Sequence, residues 1–451
     1  MSHKVLLYGA GGFSGRLVAD LAHRLWGRNG RFEVLLGGRR AATLAPLAAA
    51  YGMPCRVFGL DDDRHLDNAL SEPGLLAVIN AAGPFSATAG PLARAAVRTG
   101  IHYVDLNGEA DVYRRLDDLG YVAEKAGVTL VSGAGHCAAT SDVMLQQALT
   151  HLAACGWHDI GNVRIAYSHV KYTSRGSAQT AWRSVREQVA VMRERSRPPV
   201  PPNKTGVPEI VIDHVPLGQL ERSFDFGDSS ERRRPGGDLN ADHRIATACN
   251  LLDLYTARLT AQRHLAAGRI DHVRRIEAFI EMPEGARIFV QLGALSAPLL
   301  ALPGMRRLVQ AQVDLLPEGP DERERREDRH TVLLDIDDGC GQRLIDWRME
   351  TPDPYDFTAH CVLAVVEGLQ DAGNPATNLL AGWRTPAELI PDVFADLGQL
   401  KSDGTARHPP GTMWHHCVFE PRFTLGHLPV VANVVSTVSA PAPAPAPGVV
   451  P

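Results

Sequence analysis

Gly9, Gly11, Gly12 and Gly15 crowd the stretch "YGAGGFSGRLVA" between an apolar run and an amphipathic one. Gly9, Gly12 and Gly15 form G-x-x-G-x-x-G, a one-residue variant of the dinucleotide fingerprint G-x-G-x-x-G. One glycine lets the chain leave a strand sharply, one lets the backbone approach a pyrophosphate, and one lets the following helix pack close to the sheet. The helix that starts at Phe13 and Ser14 would turn free N–H groups and a positive dipole end toward the phosphates. The next strand ends "EVLLGGRR". An NAD site would place an acid there for the ribose 2′-hydroxyl, whereas Arg39 and Arg40 stand there instead. Guanidinium forks match a 2′-phosphate in charge and shape, so these residues favour NADP. In "VINAAGPFS", Ala81, Ala82, Gly83 and Pro84 leave room for a flat ring and are expected beside the nicotinamide ribose.

Hydride transfer also needs the substrate held against the ring and a source for the accompanying proton. Two polar clusters could supply it. "HYVDLNGE" carries His102, Tyr103, Asp105, Asn107 and Glu109, and "SGAGHCAATSD" carries His136, Cys137, Thr140, Ser141 and Asp142. Tyr103, Asp105 and His136 are the candidate catalytic residues, with His136 foremost. Tyr103 reads equally well as a core tyrosine at a strand end, and Asp105 as a residue that orders its loop. Cys137 has no motif of a nucleophile around it. Further on, "SRGSAQTAW" sets Ser174, Arg175 and Gly176 at the start of a helix, where a substrate anion could bind. A simple helix cap there is the competing reading.

Such side chains need a sheet to hold them. Short apolar runs at Lys4–Tyr8, Phe32–Leu36, Cys55–Phe58, Ala77–Asn80, His102–Val104 and Thr129–Val131 alternate with helical patterns at Ser14–Leu25, Ala41–Ala50, Arg64–Leu70, Pro91–Arg98, Val112–Lys125 and Ser141–Leu152. That rhythm predicts a doubly wound parallel α/β sheet, a Rossmann domain over residues 1–154. After Ala154 longer strand patterns and helices imply an inserted α+β domain over 155–350, for substrate binding or dimerisation, with a largely antiparallel sheet. Helices are expected over Ser177–Glu194 and Asp242–Leu265, and a solvated loop over Pro317–His330. Residues 351–438 are expected to return helices and a strand to the first domain, and 439–451 is a Pro/Ala tail.

At 451 residues, with 22% charged residues and a formal net charge of -5, the chain has neither the basic bias of a nucleic-acid binder nor an acidic tail. Seven scattered cysteines without a CxxC pair argue for reduced thiols and a cytoplasmic protein. No metal is expected: the soft ligands of "WHHC" (Trp414–Cys417) would point to opposite faces of a strand. The apolar run Val5–Tyr8 is too short for a signal core, and Pro298 and Pro303 interrupt "FVQLGALSAPLLALPGM", so no membrane span is expected.

Together "YGAGGFSGRLVA", "LLGGRR", "VINAAGPFS", "GIHYVDLNGEADVY", "SGAGHCAATSD", "TSRGSAQTAW" and "TPDPYDFTAHCVLAVVEGL…GWRTPAEL" resemble the saccharopine dehydrogenase-like family, and most of all its trans-acting enoyl reductase branch. The resemblance implies a Rossmann domain completed by the C-terminal part of the chain, with the second domain inserted. It implies an NADP-dependent reductase acting on a small-molecule or acyl substrate with an enoyl C=C bond. Imine reduction of an amino-acid adduct, a non-catalytic NADP-binding role and a homodimer stay open. The family's usual acid after the third strand is Gly59 here, followed by Asp61 and Asp62, and its "GAGFD" reads "GAGHC", which places His136 and Cys137 at a position facing the cofactor cleft.

Overall fold

The computed structural model describes residues 3–184, 189–195, 207–215, 218–227, 243–285, 287, 303–372, 381–390, 406–407, 414 and 417–425. The strands are β1 (His3–Tyr8), β2 (Phe32–Gly38), β3 (Cys55–Val57), β4 (Leu75–Asn80), β5 (His102–Asp105), β6 (Thr129–Val131), β7 (Asp159–Tyr167), β8 (Val189–Glu194), β9 (Ile210–Val215), β10 (Glu221–Asp225), β11 (His243–Ala248), β12 (His272–Glu281), β13 (Arg329–Asp337), β14 (Arg343–Pro352), β15 (Gly382–Arg384), β16 (Ala406–Arg407) and β17 (Val418–Thr424). The helices are α1 (Phe13–Asn29), α2 (Ala41–Tyr51), α3 (Asp63–Leu70), α4 (Phe85–Thr99), α5 (Ala110–Leu116), α6 (Leu119–Ala126), α7 (His136–Ala154), α8 (Arg175–Ser184), α9 (Asp253–Ala266), α10 (Pro303–Asp314), α11 (Glu322–Glu327) and α12 (Pro354–Ala372).

The first sheet runs β15-β6-β5-β4-β1-β2-β3, and every pairing in it is parallel. Its central strands are apolar without alternation because helices cover both faces: Val5 to Leu7 and Ala77 to Ile79 are buried. The chain order reverses between β1 and β4, which opens a crevice at their carboxyl ends. The glycine loop and Ala81–Pro84 leave the sheet at that point. The second sheet is mixed: the order is β10-β11-β12-β7-β13-β14-β17-β16, with β8 on β12 and β9 on β8. Among the described residues, only β12 and β7 pair in parallel there. This is the doubly wound sheet with a second α+β unit that the sequence pattern predicts.

Several local expectations change. Ser177–Glu194 is not one helix: α8 ends at Ser184, and Val189–Glu194 forms β8 between β9 and β12. The run Val189–Met192 is buried, and its β-branched residues suit a strand. Asp242–Leu265 likewise divides into β11 and α9. Val112–Lys125 breaks into α5 and α6 around Asp117 and Asp118. Of the C-terminal segment, α12 packs beside α1 and β15 joins β6, whereas β16 and β17 extend the second sheet. The proline-rich stretch 196–206, residues 289–302 of the apolar stretch and the 439–451 tail lie outside the described residues. Among the described residues, no helix is long and apolar enough to cross a membrane.

Candidate functional site

The glycine loop is built by collisions that only glycine avoids. Gly9 has φ +86°, and a Cβ on it would lie 2.7 Å from the Ala82 nitrogen. The loop therefore rests directly on the chain leaving β4, where Ala81 N–H donates to the Tyr8 carbonyl at 2.8 Å. A Cβ on Gly15 would collide with the Gly9 carbonyl oxygen and approach Ala10 Cα to 2.8 Å. Gly12 is exposed, has extended backbone and caps α1 with no side-chain hydrogen bond. The first N–H groups of α1, on Phe13, Ser14 and Gly15, thus point outward over an exposed glycine with no acid in the first turn. Such a terminus fits a pyrophosphate.

Arg39 and Arg40 follow the last residue of β2, and both are exposed. Neither pairs with a carboxylate among the described residues. Arg40 is the N-cap residue of α2, and Thr43 Oγ1 returns to its carbonyl at 2.9 Å beside Gly11. Two free guanidiniums at this strand end fit a 2′-phosphate. Arg39→Ala should weaken NADPH binding about ten-fold and leave NADH binding nearly unchanged. Parallel titrations with the two cofactors check this, and equal losses would remove the 2′-phosphate assignment.

The three expected catalytic residues, Tyr103, Asp105 and His136, are all buried. Asp105 is buried at the end of β5 and accepts from Tyr103 Oη (2.8 Å), Ser132 Oγ (2.9 Å), Gly133 N–H (2.9 Å) and Asn107 N–H (3.0 Å). Desolvation raises its pKa to about 6 against those donors. The Tyr103 hydroxyl also accepts from Asn80 Nδ2 at 3.2 Å, and Asn80 Oδ1 accepts from Ala82 N–H at 3.1 Å. Burial and the neighbouring Asp105 push the phenol's pKa well up. One chain of hydrogen bonds therefore ties the carboxyl ends of β4, β5 and β6 together and fixes the Ala81–Pro84 shelf. Pro84 precedes α4, whose first N–H, on Phe85, donates to Glu109 Oε1 at 3.3 Å.

His136 opens α7 and is also buried. Its Nε2 lies 2.8 Å from Thr351 Oγ1, and its backbone N–H donates to Thr358 Oγ1 at 3.0 Å. Its ring meets His330 edge-on at 4.9 Å. Desolvation and then His330 hold its pKa well below the usual imidazole range, so the ring is neutral. Next to it, the Tyr167 hydroxyl meets Asp253 Oδ1 and the Cys137 carbonyl, and Ser141 Oγ donates to the same Asp253 oxygen at 2.6 Å. Asp142 sits in the second turn of α7, where Ala387 N–H donates to it at 2.9 Å and Thr260 bonds its other oxygen, so it is not a helix cap. These contacts fasten α7 to the second sheet and to α9.

Cys137 differs from this buried set. Its side chain is exposed to solvent, yet desolvation pushes the thiol pKa well up, with Asp253 adding to the shift. The Cys137 thiol is 3.7 Å from His136 Nδ1.

Ser174, Arg175 and Gly176 do start α8, and their polar groups are engaged by protein. Ser174 Oγ accepts from Ser177 N–H at 3.1 Å, and Ser174 N–H donates to the Tyr355 hydroxyl at 2.6 Å. Arg175 Nε and Nη2 donate to the Leu316 carbonyl at 2.8 and 2.6 Å. Tyr355, from the first turn of α12, sets its ring edge-on against Phe13 at 5.3 Å. The Pro317–His330 segment, expected as a solvated loop, contains α11, closed by a capping box on Asp321, and the start of β13. Its Glu318 donates nothing and accepts from Arg16 Nη2 at 2.6 Å, across 302 positions of chain. Arg16, Glu318, Phe13 with Tyr355, and the Tyr167–Asp253 pair have no local sequence signal, because each partner comes from a distant element. Of the "WHHC" stretch, Trp414 and Cys417 are buried. Among the described residues no cluster of three or more His, Cys, Asp or Glu is placed to hold a metal.

Residues 5–131 match the family described as the saccharopine dehydrogenase NADP binding domain. That span contains the glycine loop, both arginines, the Ala81–Pro84 shelf and Asp105 with Tyr103 and Asn107. The chain is 30% identical over 153 residues to the Mycobacterium tuberculosis protein named "Putative trans-acting enoyl reductase Rv2449c", covering 33% of this chain and 36% of that one. A second strain's "Putative trans-acting enoyl reductase MT2525" matches to the same extent. The match thus spans about a third of the length of these curated relatives. Apo saccharopine dehydrogenase (L-Glu forming) from Saccharomyces cerevisiae superposes with a TM-score of 0.52, covering 86% of this chain and 94% of that one at 14% identity. At that identity the likeness is one of fold.

Proposed function

We propose that this protein is an NADP-dependent reductase that passes a hydride to an enoyl C=C bond of an acyl substrate. NADPH would supply the hydride from its reduced nicotinamide ring. Gly9, Gly11, Gly12, Phe13, Ser14 and Gly15 would hold the pyrophosphate, and Arg39 and Arg40 the 2′-phosphate. Ala81, Ala82, Gly83 and Pro84 would border the nicotinamide ribose. In this reading Tyr103, Asp105 and His136 are positioning residues: their polar atoms are taken up by protein, and they hold the three strand ends that shape the cleft. Ser174, Arg175 and Gly176 would border the substrate.

The observation that carries the C=C reading is the state of the Arg175 and Arg325 guanidiniums. Arg175 is spent on the Leu316 carbonyl, and Arg325 on Asp356 and the Pro320 carbonyl. An imine formed from amino acids brings carboxylates, which bind best to free guanidinium forks. Phe13 at the glycine loop, Tyr355 against it and Phe85 at the start of α4 set aromatic rings there, which suit an acyl chain better. The names of the 30% identical relatives point the same way.

The test is NADPH consumption by the purified full chain against α,β-unsaturated acyl thioesters and against imines of amino acids with oxo acids. Oxidation of NADPH that depends on the enoyl thioester is expected. Turnover with the imines alone would replace this reading with saccharopine-type chemistry. Tight NADPH binding with no turnover on either set would favour a non-catalytic cofactor-binding role.

A further inference from the structure

We infer that Arg16 is a further ligand of the cofactor's phosphates, and that Glu318, reaching over from the second domain, is the carboxylate a phosphate must displace from it. The inference rests on the NADP reading of the glycine loop and adds to it a residue that lies outside the fingerprint.

Arg16 directly follows Gly15 in the first turn of α1. Its Nη1 donates to the Gly11 carbonyl at 2.9 Å, which folds the guanidinium back over the loop instead of out along the helix. Its Nη2 donates to Glu318 Oε2 at 2.6 Å. Both side chains are accessible, at 41% and 61% of their full exposure, so a ligand can reach either. The Glu318 carboxylate feels three guanidiniums: Arg16 first, then Arg175 from α8 and Arg40 from the end of β2, and together they hold its pKa below the usual carboxylate range. An anion here therefore sits among cations from three elements, at the lip of a helix N-terminus that itself favours negative charge. That is the electrostatic setting of a phosphate, and a carboxylate of the chain stands in it.

The backbone on either side of Glu318 is held in place. Leu316 is clamped by Arg175, as described above. Gly319 packs its backbone directly on the Phe13 ring, so that a side chain there would run into it. Arg325 lies 5.9 Å from the centroid of the same ring and donates to Asp356 of α12 at 3.0 Å. Glu318 is thus presented to the glycine loop by a strap anchored at both ends. The exposed pair itself is weak, because water screens it. A phosphate offers more charge and a bidentate match to the same fork, so it wins the guanidinium while the competition lowers the apparent affinity.

The experiment is a fluorescence or calorimetric titration of NADPH and NADH into the full chain, with the wild type, Glu318→Gln, Arg16→Gln and the double variant. Glu318→Gln should bind NADPH about two- to five-fold more tightly than the wild type, the range expected for releasing one exposed ion pair. The gain should vanish when Arg16 is already glutamine, as a coupled pair requires. A gain for both cofactors assigns Arg16 to the pyrophosphate, and a gain for NADPH alone assigns it to the 2′-phosphate. Unchanged or weaker binding by Glu318→Gln, or a gain that survives in the Arg16→Gln background, overturns the inference while leaving the NADP reading intact. A wild-type chain that binds neither cofactor removes both.

Discussion

Gly15→Ala is expected to abolish measurable NADPH binding, with a loss of about 100-fold or more, and to destabilise the first domain by about 1–3 kcal/mol. The added methyl would collide with the Gly9 carbonyl and press on Ala10 Cα, so α1 must move away from the loop after β1. These contacts are to backbone, which cannot swing aside as a side chain can. Moving the helix shifts the outward N–H groups of Phe13, Ser14 and Gly15, and each charge-assisted hydrogen bond to a phosphate is worth about 1.5–3 kcal/mol. Losing two of them accounts for the affinity change. Gly12→Ala provides the contrast. Its methyl would lie 3.3 Å from the Gly9 carbonyl, a fit that needs only a small adjustment, yet Gly12 is exposed on the face that would meet the ligand. It should melt near the wild-type temperature and still bind NADPH weakly. A Gly12→Ala protein with wild-type affinity would show that the pyrophosphate does not approach there.

Asp105→Ala should cost about 3–5 kcal/mol of folding stability, read as a fall in the midpoint of urea unfolding. The reason is the hydroxyls of Tyr103 and Ser132 and the backbone N–H groups of Gly133 and Asn107, which would lose their shared acceptor in a site without water access. The pH dependence of the effect has a definite sign. Folding raises this carboxyl's pKa from 3.8 to about 6, so the unfolded chain ionises first as pH rises. The residue's contribution is full below its unfolded pKa and falls as pH rises through the folded one. The stability gap between wild type and variant should therefore be wider at pH 5 than at pH 7, by about 1 kcal/mol. A gap that widens toward pH 7 would mean that the carboxylate, not the carboxylic acid, is the form the fold prefers. A catalytic Asp105 would instead show normal stability with lost turnover.

The cofactor half of the site was legible in the order of the residues because it is made by neighbours in sequence. A strand, a glycine loop and a helix follow one another within Lys4–Leu25, and the arginines stand at the next strand end. Parallel strands must be apolar on both faces, so the first sheet also announced itself. The mistaken helices at Val189–Glu194 and His243–Ala248 share one cause: both segments are strands whose register depends on β12, far away in the chain. Local pattern is silent when the partner that decides between helix and strand is distant.

The chemistry-bearing residues show the same division. Their types and the loops that carry them were readable: Tyr103, Asp105 and His136 do gather near the carboxyl ends of β5 and β6. Their exposure was not, because burial is set by which other elements cover them. Tertiary packing closed Asp105 inside a ring of donors, turned His136 toward Thr351 and left Cys137 open instead. It likewise brought Glu318 onto Arg16, since only the fold brings together residues 302 positions apart. By itself, then, the sequence determined the NADP-binding motif and the parallel sheet beneath it, both products of short-range periodicity and backbone sterics. The walls of the cleft, and which polar groups face it, were decided only when two sheets and the returning helix α12 packed together, because accessibility is a property of the whole surface and not of any one segment.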